Sequence, residues 1–287
     1  MTNSSETANL ASQTPKRGQE QAGIAAQGVA GSSETGPILS LKNVSLTLGG
    51  HEILKDISLD IPRGQFVCVV GPSGCGKTTM LRLLAGLYQP TSGSVMYRGT
   101  PMTQPRQDIA IVFQDYGKAL LPWRNAHGNI SLALEAMRTP RASRDKVIDD
   151  LLAKVGLPGQ GHKFPNQMSG GMQQRLQIAR SLAQNPSVLL MDEPFGALDA
   201  MTRQGLQDEF LTITRGTGTT TFFVTHDLEE AIYTSDRVIG LLPHPGRIGI
   251  SVDVKLAYPR DQLTTREDPE FLHLRRELFD FIKKAES

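Results

Sequence analysis

Cysteine is nearly missing from this chain. Cys68 and Cys75 are the only two in 287 residues, and their spacing matches neither a zinc site nor a disulfide framework, so a reducing compartment is expected, by default the cytoplasm. No stretch approaches the roughly 18 consecutive apolar residues of a membrane span. A chain of this kind does not cross a membrane by itself. Neither sign of charge is in excess: 30 Lys and Arg face 29 Asp and Glu, a formal net charge of +1. No basic field therefore recommends nucleic acid or anionic lipid as a partner. Aromatic residues are absent from residues 1–37, where Ser, Thr, Gln, Gly and Ala dominate. Such a segment buries too little apolar surface to offset the entropy of ordering and reads as a disordered tail. It also lacks the continuous apolar run of about 7 to 15 residues that a signal peptide needs. The whole chain is 39% hydrophobic and 21% charged, a globular composition, and is long enough for about two domains of roughly 150 residues each.

From Ile38 the pattern changes. Ile38 to Leu48 and Glu52 to Ile61 flank Gly49-Gly50, which suits a tight hairpin and predicts a small antiparallel sheet. Three short apolar runs without polar alternation follow, at Phe66 to Val70, Val188 to Met191 and Thr219 to Val224. They read as strands buried on both faces, hence a parallel sheet covered by helices. Between the first and second, about Lys118 to Gln184 shows helical spacing (Leu132, Leu134, Met137; Val147, Leu151, Leu152, Val155) and predicts a helical insertion. Near the end, Asp268 as N-cap and Pro269 in the first turn open a helix with Phe271, Leu274, Leu278 and Phe281 on one face, expected to pack on its own domain.

The chemistry is concentrated at strand ends. Gly71-Pro72-Ser73-Gly74-Cys75-Gly76-Lys77-Thr78 fits G-x-x-x-x-G-K-[ST] between a predicted strand and the helical run that starts at Thr79. Its glycines let the backbone wrap a polyphosphate, its amides and helix N-terminus supply positive potential, Lys77 reaches the outer phosphates and the Thr78 hydroxyl can ligate Mg²⁺. Asp192 and Glu193 end the second buried strand. Adjacent carboxylates there divide two tasks, Asp192 serving the metal and Glu193 the attacking water. His226 closes the third strand, within reach of a γ-phosphate, and Asp227 with Glu230 reads as a capping box. Ser169-Gly170-Gly171 opens a further helix, a second N-terminus suited to an anion or simply capped by its own serine. Cys75, among loop amides, is expected to have a lowered thiol pKa and to be shielded from alkylation by nucleotide.

Together these residues resemble the ATP-binding subunit of ABC transporters over roughly Ile38 to Arg247. The resemblance implies an α/β fold: a P-loop NTPase (RecA-like) core with an antiparallel β subdomain and a helical insertion. It implies an ATPase domain at residues 38–250, with the helical part at about 118–184, and a C-terminal extension at 251–287 ending in a helix. By that likeness Gly71 to Thr78, with Thr79, is Walker A; Gln114 is the Q-loop glutamine, touching metal and water; Ser169 to Gly171 is the signature; Asp192 and Glu193 are Walker B; Asp199 is the D-loop aspartate; His226 is the switch histidine. ATP and Mg²⁺ are the implied ligands. The implied partners are a second copy in an ATP-sandwich dimer, a transmembrane permease and, indirectly, a solute-binding protein. The implied place is the inner face of the cell membrane.

Leu121-Pro122-Trp123-Arg124, Glu193 to Asp199 and Pro245-Gly246-Arg247 resemble more narrowly the nitrate, sulfonate and taurine import group. Trp123 is then expected where a permease docks; a core anchor is the competing reading. Three positions depart from the family: Leu48 replaces a base-stacking aromatic, and the signature carries Met168 and Met172. These leave open the nucleotide selectivity and a low-turnover regulatory switch. A soluble ABC-type ATPase acting on nucleic acid is the other alternative, although only 54 residues lie between Gln114 and Ser169 and no sustained heptad appears among them.

Overall fold

The computed structural model describes residues 36–114, 119–196 and 198–286. The tail expected at residues 1–37 lies almost wholly outside them. The predicted hairpin forms: β1 (Leu39–Leu48) pairs antiparallel with β2 (His51–Ile61), and Leu48 faces His51 across Gly49-Gly50. β3 (Phe66–Val70) leads into α1 (Lys77–Leu84). β4 (Ser92–Tyr97) and β5 (Thr100–Pro101) extend the first sheet, in the order β2-β1-β4-β5. β6 (Ile109–Val112) then joins a second sheet.

In the stretch read as helical lie α2 (Ala126–Ala136), α3 (Arg141–Lys154) and α4 (Gly170–Leu182). Leu134, Leu151, Leu152 and Val155 are buried as expected, but Leu132 and Met137 face outward. The buried stripe of α2 runs instead through Ala126, Ile130, Ala133 and Leu134, because an interface between close helices at three- and four-residue spacing accepts alanine as readily as leucine. β7 (Val188–Asp192), α5 (Ala200–Thr217), β8 (Thr220–Val224), α6 (Leu228–Thr234), β9 (Arg237–Leu242) and β10 (Arg247–Asp253) complete the core. Two helices close the chain, α7 (Thr264–Glu267) and α8 (Pro269–Glu286).

The second sheet has the order β10-β9-β3-β8-β7-β6, parallel from β9 to β6 with β10 antiparallel at the edge. Every residue of β3, β7 and β8 is buried, as strands covered on both faces require. Alternation sorts β3 between two cores. Phe66, Cys68 and Val70 pack with the helices α2 to α5, and Val67 and Val69 pack with α1 and the antiparallel sheet. Phe66, Phe195, Phe210 and Phe223 make edge-on or tilted ring contacts with centroids 5.7 to 6.1 Å apart, favoured aromatic geometry that fixes the turn after β7 to β3, β8 and α5. The last helix docks on its own unit: Phe271, Leu274 and Leu278 are buried, and Asp268 Oδ1 accepts from the Glu270 amide at 2.8 Å as the predicted cap.

Candidate active site

Parallel pairing brings three strand ends to one edge. Val69 is in register with Val224, and Val224 with Asp192. The chain therefore leaves β3 at Gly71, β7 at Glu193 and β8 at Thr225 side by side, where an open α/β sheet offers its crevice.

The loop from Gly71 wraps tightly. Gly71 has φ of 155°, and a Cβ there would meet Cys75 Sγ and the Leu241 carbonyl at 2.8 Å; only glycine fits. Gly76 precedes α1 with φ of 95° and makes no side-chain cap, so the first amides of that helix remain donors toward the loop. Lys77 is 8% exposed and its Nζ donates to the carbonyls of Gly71 at 2.7 Å and Pro72 at 3.0 Å. The ammonium is thereby held inside the loop.

Thr78 begins the bridge to β7: its hydroxyl donates to Asp192 Oδ1 at 3.1 Å. Burial pushes the Asp192 carboxyl up from its ordinary range, the Thr78 bond opposes this, and the neighbouring Glu193 charge adds to it. A divalent cation would reverse the balance. The pair offers oxygen donors only, the set that suits a hard ion held by one or two carboxylates and a substrate phosphate.

Glu193 points elsewhere. Its backbone is left-handed, φ 47°, a conformation that costs a non-glycine residue about 1–3 kcal/mol, and its amide donates to the Val224 carbonyl at 2.8 Å. The turn aims its carboxylate away from Asp192: Oε2 accepts from Gln114 Nε2 at 2.8 Å, and Oε1 lies 3.4 Å from His226 Nδ1. Three residues singled out separately in the sequence thus meet at one carboxylate.

Ser169, Gly170 and Gly171 are not joined to that group by hydrogen bonds among the described residues. Ser169 Oγ caps α4, accepting from the Met172 amide at 3.3 Å, and Gly171 lies against Leu198. Asp199 caps α5, accepting from the Thr202 amide at 3.0 Å. The two departures in the signature have a packing role: Met168 is buried and Met172 rests on the helical core. Leu48 stands half-exposed at the hairpin tip.

Two expectations are corrected. Cys75 is fully buried, and burial raises its thiol pKa, with the Lys77 charge and loop amides opposing only in part. Asp227 does cap α6, accepting from the Glu229 and Glu230 amides at 3.0 and 3.1 Å, but Glu230 does not reach back to it. Its carboxyl turns inward, accepting from the Thr225 hydroxyl at 2.5 Å and from Gln207 Nε2 at 2.9 Å. That buried contact had no signal in the sequence, because Gln207 arrives from a different helix.

A family model described as ABC transporter matches residues 54–196. The nitrate import ATP-binding protein NrtD of Synechococcus elongatus is 43% identical over 237 residues, covering 82% of this chain and 86% of that protein. The bicarbonate transport ATP-binding protein CmpD of Synechocystis sp. is 40% identical over 256 residues, covering 87% and 90%. A solved dimeric bacterial ABC transporter cassette superposes with a TM-score of 0.68 at 33% identity, over 76% of this chain and 99% of that one. A post-hydrolysis cassette dimer bound to ADP and Pi gives 0.66 at 32%, with the same coverage. Likeness of this extent, carried over 86% to 99% of the length of those proteins, makes the chain a member of the ABC transporter family, one of its ATP-binding and ATP-hydrolysing subunits.

Proposed function

We propose that this chain is the motor of an importer for a small anion and that its hydrolytic centre is the carboxylate of Glu193, flanked by Gln114 and His226. The convergence of those three side chains, at 2.8 and 3.4 Å, carries the reading. Lys77 and the amides of Gly71 to Thr79 oppose the charge of the ATP phosphates, and Glu193 orients and deprotonates the attacking water while His226 faces the γ-phosphate. Thr78, Asp192 and the amide oxygen of Gln114 would hold Mg²⁺, which supplies charge neutralisation at the phosphates when bound.

Ser169 to Gly171 and Asp199 belong to a site that one copy leaves half-built. A second copy, related head to tail, would bring its signature over Lys77, as the dimeric form of the similar cassettes suggests. Trp123 is 71% exposed, which favours docking to a permease over a core role. Among the described residues no helix is long and apolar enough to cross a membrane, so attachment at the inner face would run through that permease. The solute class follows from the nitrate and bicarbonate importers among the relatives; a solute-binding protein would select within it.

The test is uptake by proteoliposomes carrying this chain with its permease and binding protein. ATP-dependent entry of nitrate, bicarbonate, a sulfonate or taurine, lost in Lys77→Ala, is the expected result. Entry only of solutes that carry no anionic group would overturn the anion assignment.

A further inference from the structure

The switch histidine does not stand on its own strand end unaided. Thr225, the residue before it, donates its hydroxyl to Glu230 Oε2 at 2.5 Å, and the same oxygen of Thr225 accepts from the Asp227 amide, the residue after it, at 3.1 Å. Glu230 Oε1 is anchored in turn by Gln207 of α5 at 2.9 Å. His226 itself keeps 68% of its side chain exposed, so its direction is governed by the turn that bears it and not by packing.

Glu230 is an expensive residue to place there. It is 4% exposed and forms no ion pair among the described residues. The charged groups around it compensate little: Arg203 of α5 favours its charged form but pairs with Asp227 at 3.7 Å, whose own charge opposes it, Glu229 is taken by Arg266 and Arg275, and β3 presents the Cys68 thiol. A buried carboxyl without a cation contributes little to stability and calls for another reason to be present.

We propose that Glu230 is a positioning residue for ATP hydrolysis, holding the Thr225 to Asp227 turn so that His226 meets Glu193. This rests on the role assigned to His226 above. Burial raises the Glu230 carboxyl to about 7, against the Thr225 and Gln207 hydrogen bonds. Above that value the ionised carboxylate accepts from Thr225; below it the acid must donate, and the Thr225 hydroxyl, already accepting from Asp227, loses its acceptor. The bond polarity beside His226 therefore reverses with one proton.

The experiment measures single-turnover phosphate release and ATP affinity on the full chain, from about pH 6 to about pH 8.5. Glu230→Gln should slow turnover about tenfold, leave ATP affinity within about twofold and remove the inflection near neutrality, a split that a general loss of folding does not produce. Thr225→Val should behave alike and carries the test if Glu230→Gln does not fold; the double variant should lose little more than either alone. His226→Ala separates the two ideas. If His226→Ala is inert while Glu230→Gln and Thr225→Val keep the parental rate and pH profile, the positioning role is wrong and the histidine assignment stands. If His226→Ala hydrolyses at the parental rate, both fall.

Discussion

Gln114 donates its side-chain amide to Glu193 Oε2 at 2.8 Å across 79 positions of sequence, while His226 lies 3.4 Å from the other oxygen. Both oxygens of one carboxylate are thus claimed by groups from the ends of β6 and β8. Such a carboxylate is oriented by its neighbours, which is what a general base requires. Glu193→Gln keeps the shape and the Gln114 contact but cannot take a proton. Phosphate release should fall by about 10²- to 10⁴-fold while ATP binding persists, and light scattering should show a nucleotide-dependent dimer. A variant releasing phosphate at the parental rate removes Glu193 from the chemistry.

Asp192 acts through a different partner. Its carboxylate is buried, its pKa is raised by that burial, and the Thr78 hydroxyl is its hydrogen-bond partner. A divalent cation held there would restore the charge balance, so chelation should abolish hydrolysis, and Thr78→Ala and Asp192→Asn should each raise the Mg²⁺ concentration needed for half-maximal rate by about tenfold or more. An unchanged Mg²⁺ titration in both variants excludes the pair as the metal-facing edge.

Much of this site was legible because its parts are local. Gly71 to Thr78, Asp192, Glu193 and His226 all sit at the ends of short apolar runs, and parallel strands present their ends together. Strands with less signal were missed: β6 has four residues, β9 carries Gly240 in its interior, and β4 opens on Ser92-Gly93-Ser94 before its short apolar end. What no local pattern could supply is burial in three dimensions. The position of Cys75 among amides predicted an acidic thiol, yet the fold encloses it. Glu230 looked like a capping residue until α5 brought Gln207 against it.

The enclosed Cys75 makes an inverted labelling prediction. A raised pKa leaves little thiolate near neutrality, and thiolate is the nucleophile. Alkylation of the native chain should run at least about tenfold slower than that of the unfolded chain, with nucleotide adding little protection. Rapid labelling of the native, nucleotide-free chain, followed by full protection with ATP, would restore the acidic-thiol expectation.

The terminal helix allows a paired comparison. Leu278 is buried and its neighbour Phe279 is 56% exposed. Leu278→Ala leaves a cavity under α8 and should cost about 2–5 kcal/mol, whereas Phe279→Ala should stay within about 0.5 kcal/mol. Denaturant midpoints of the two variants measure this directly. Equal, small losses would mean that α8 does not pack on its own domain in solution.

Trp123 is both the sole tryptophan and the most informative surface residue. At 71% exposure it contributes little to the fold, so Trp123→Ala should leave unfolding free energy within about 0.5 kcal/mol and basal ATP hydrolysis untouched. Its indole should emit at the long wavelength of a solvated ring in the free chain, and the emission should shift to shorter wavelength when permease is added, because docking removes water from the ring. The same variant should then weaken permease binding by about tenfold or more, the behaviour of an aromatic anchor near the centre of an interface. Emission unmoved by permease, with binding and coupled transport intact in Trp123→Ala, would place the docking surface elsewhere on the molecule.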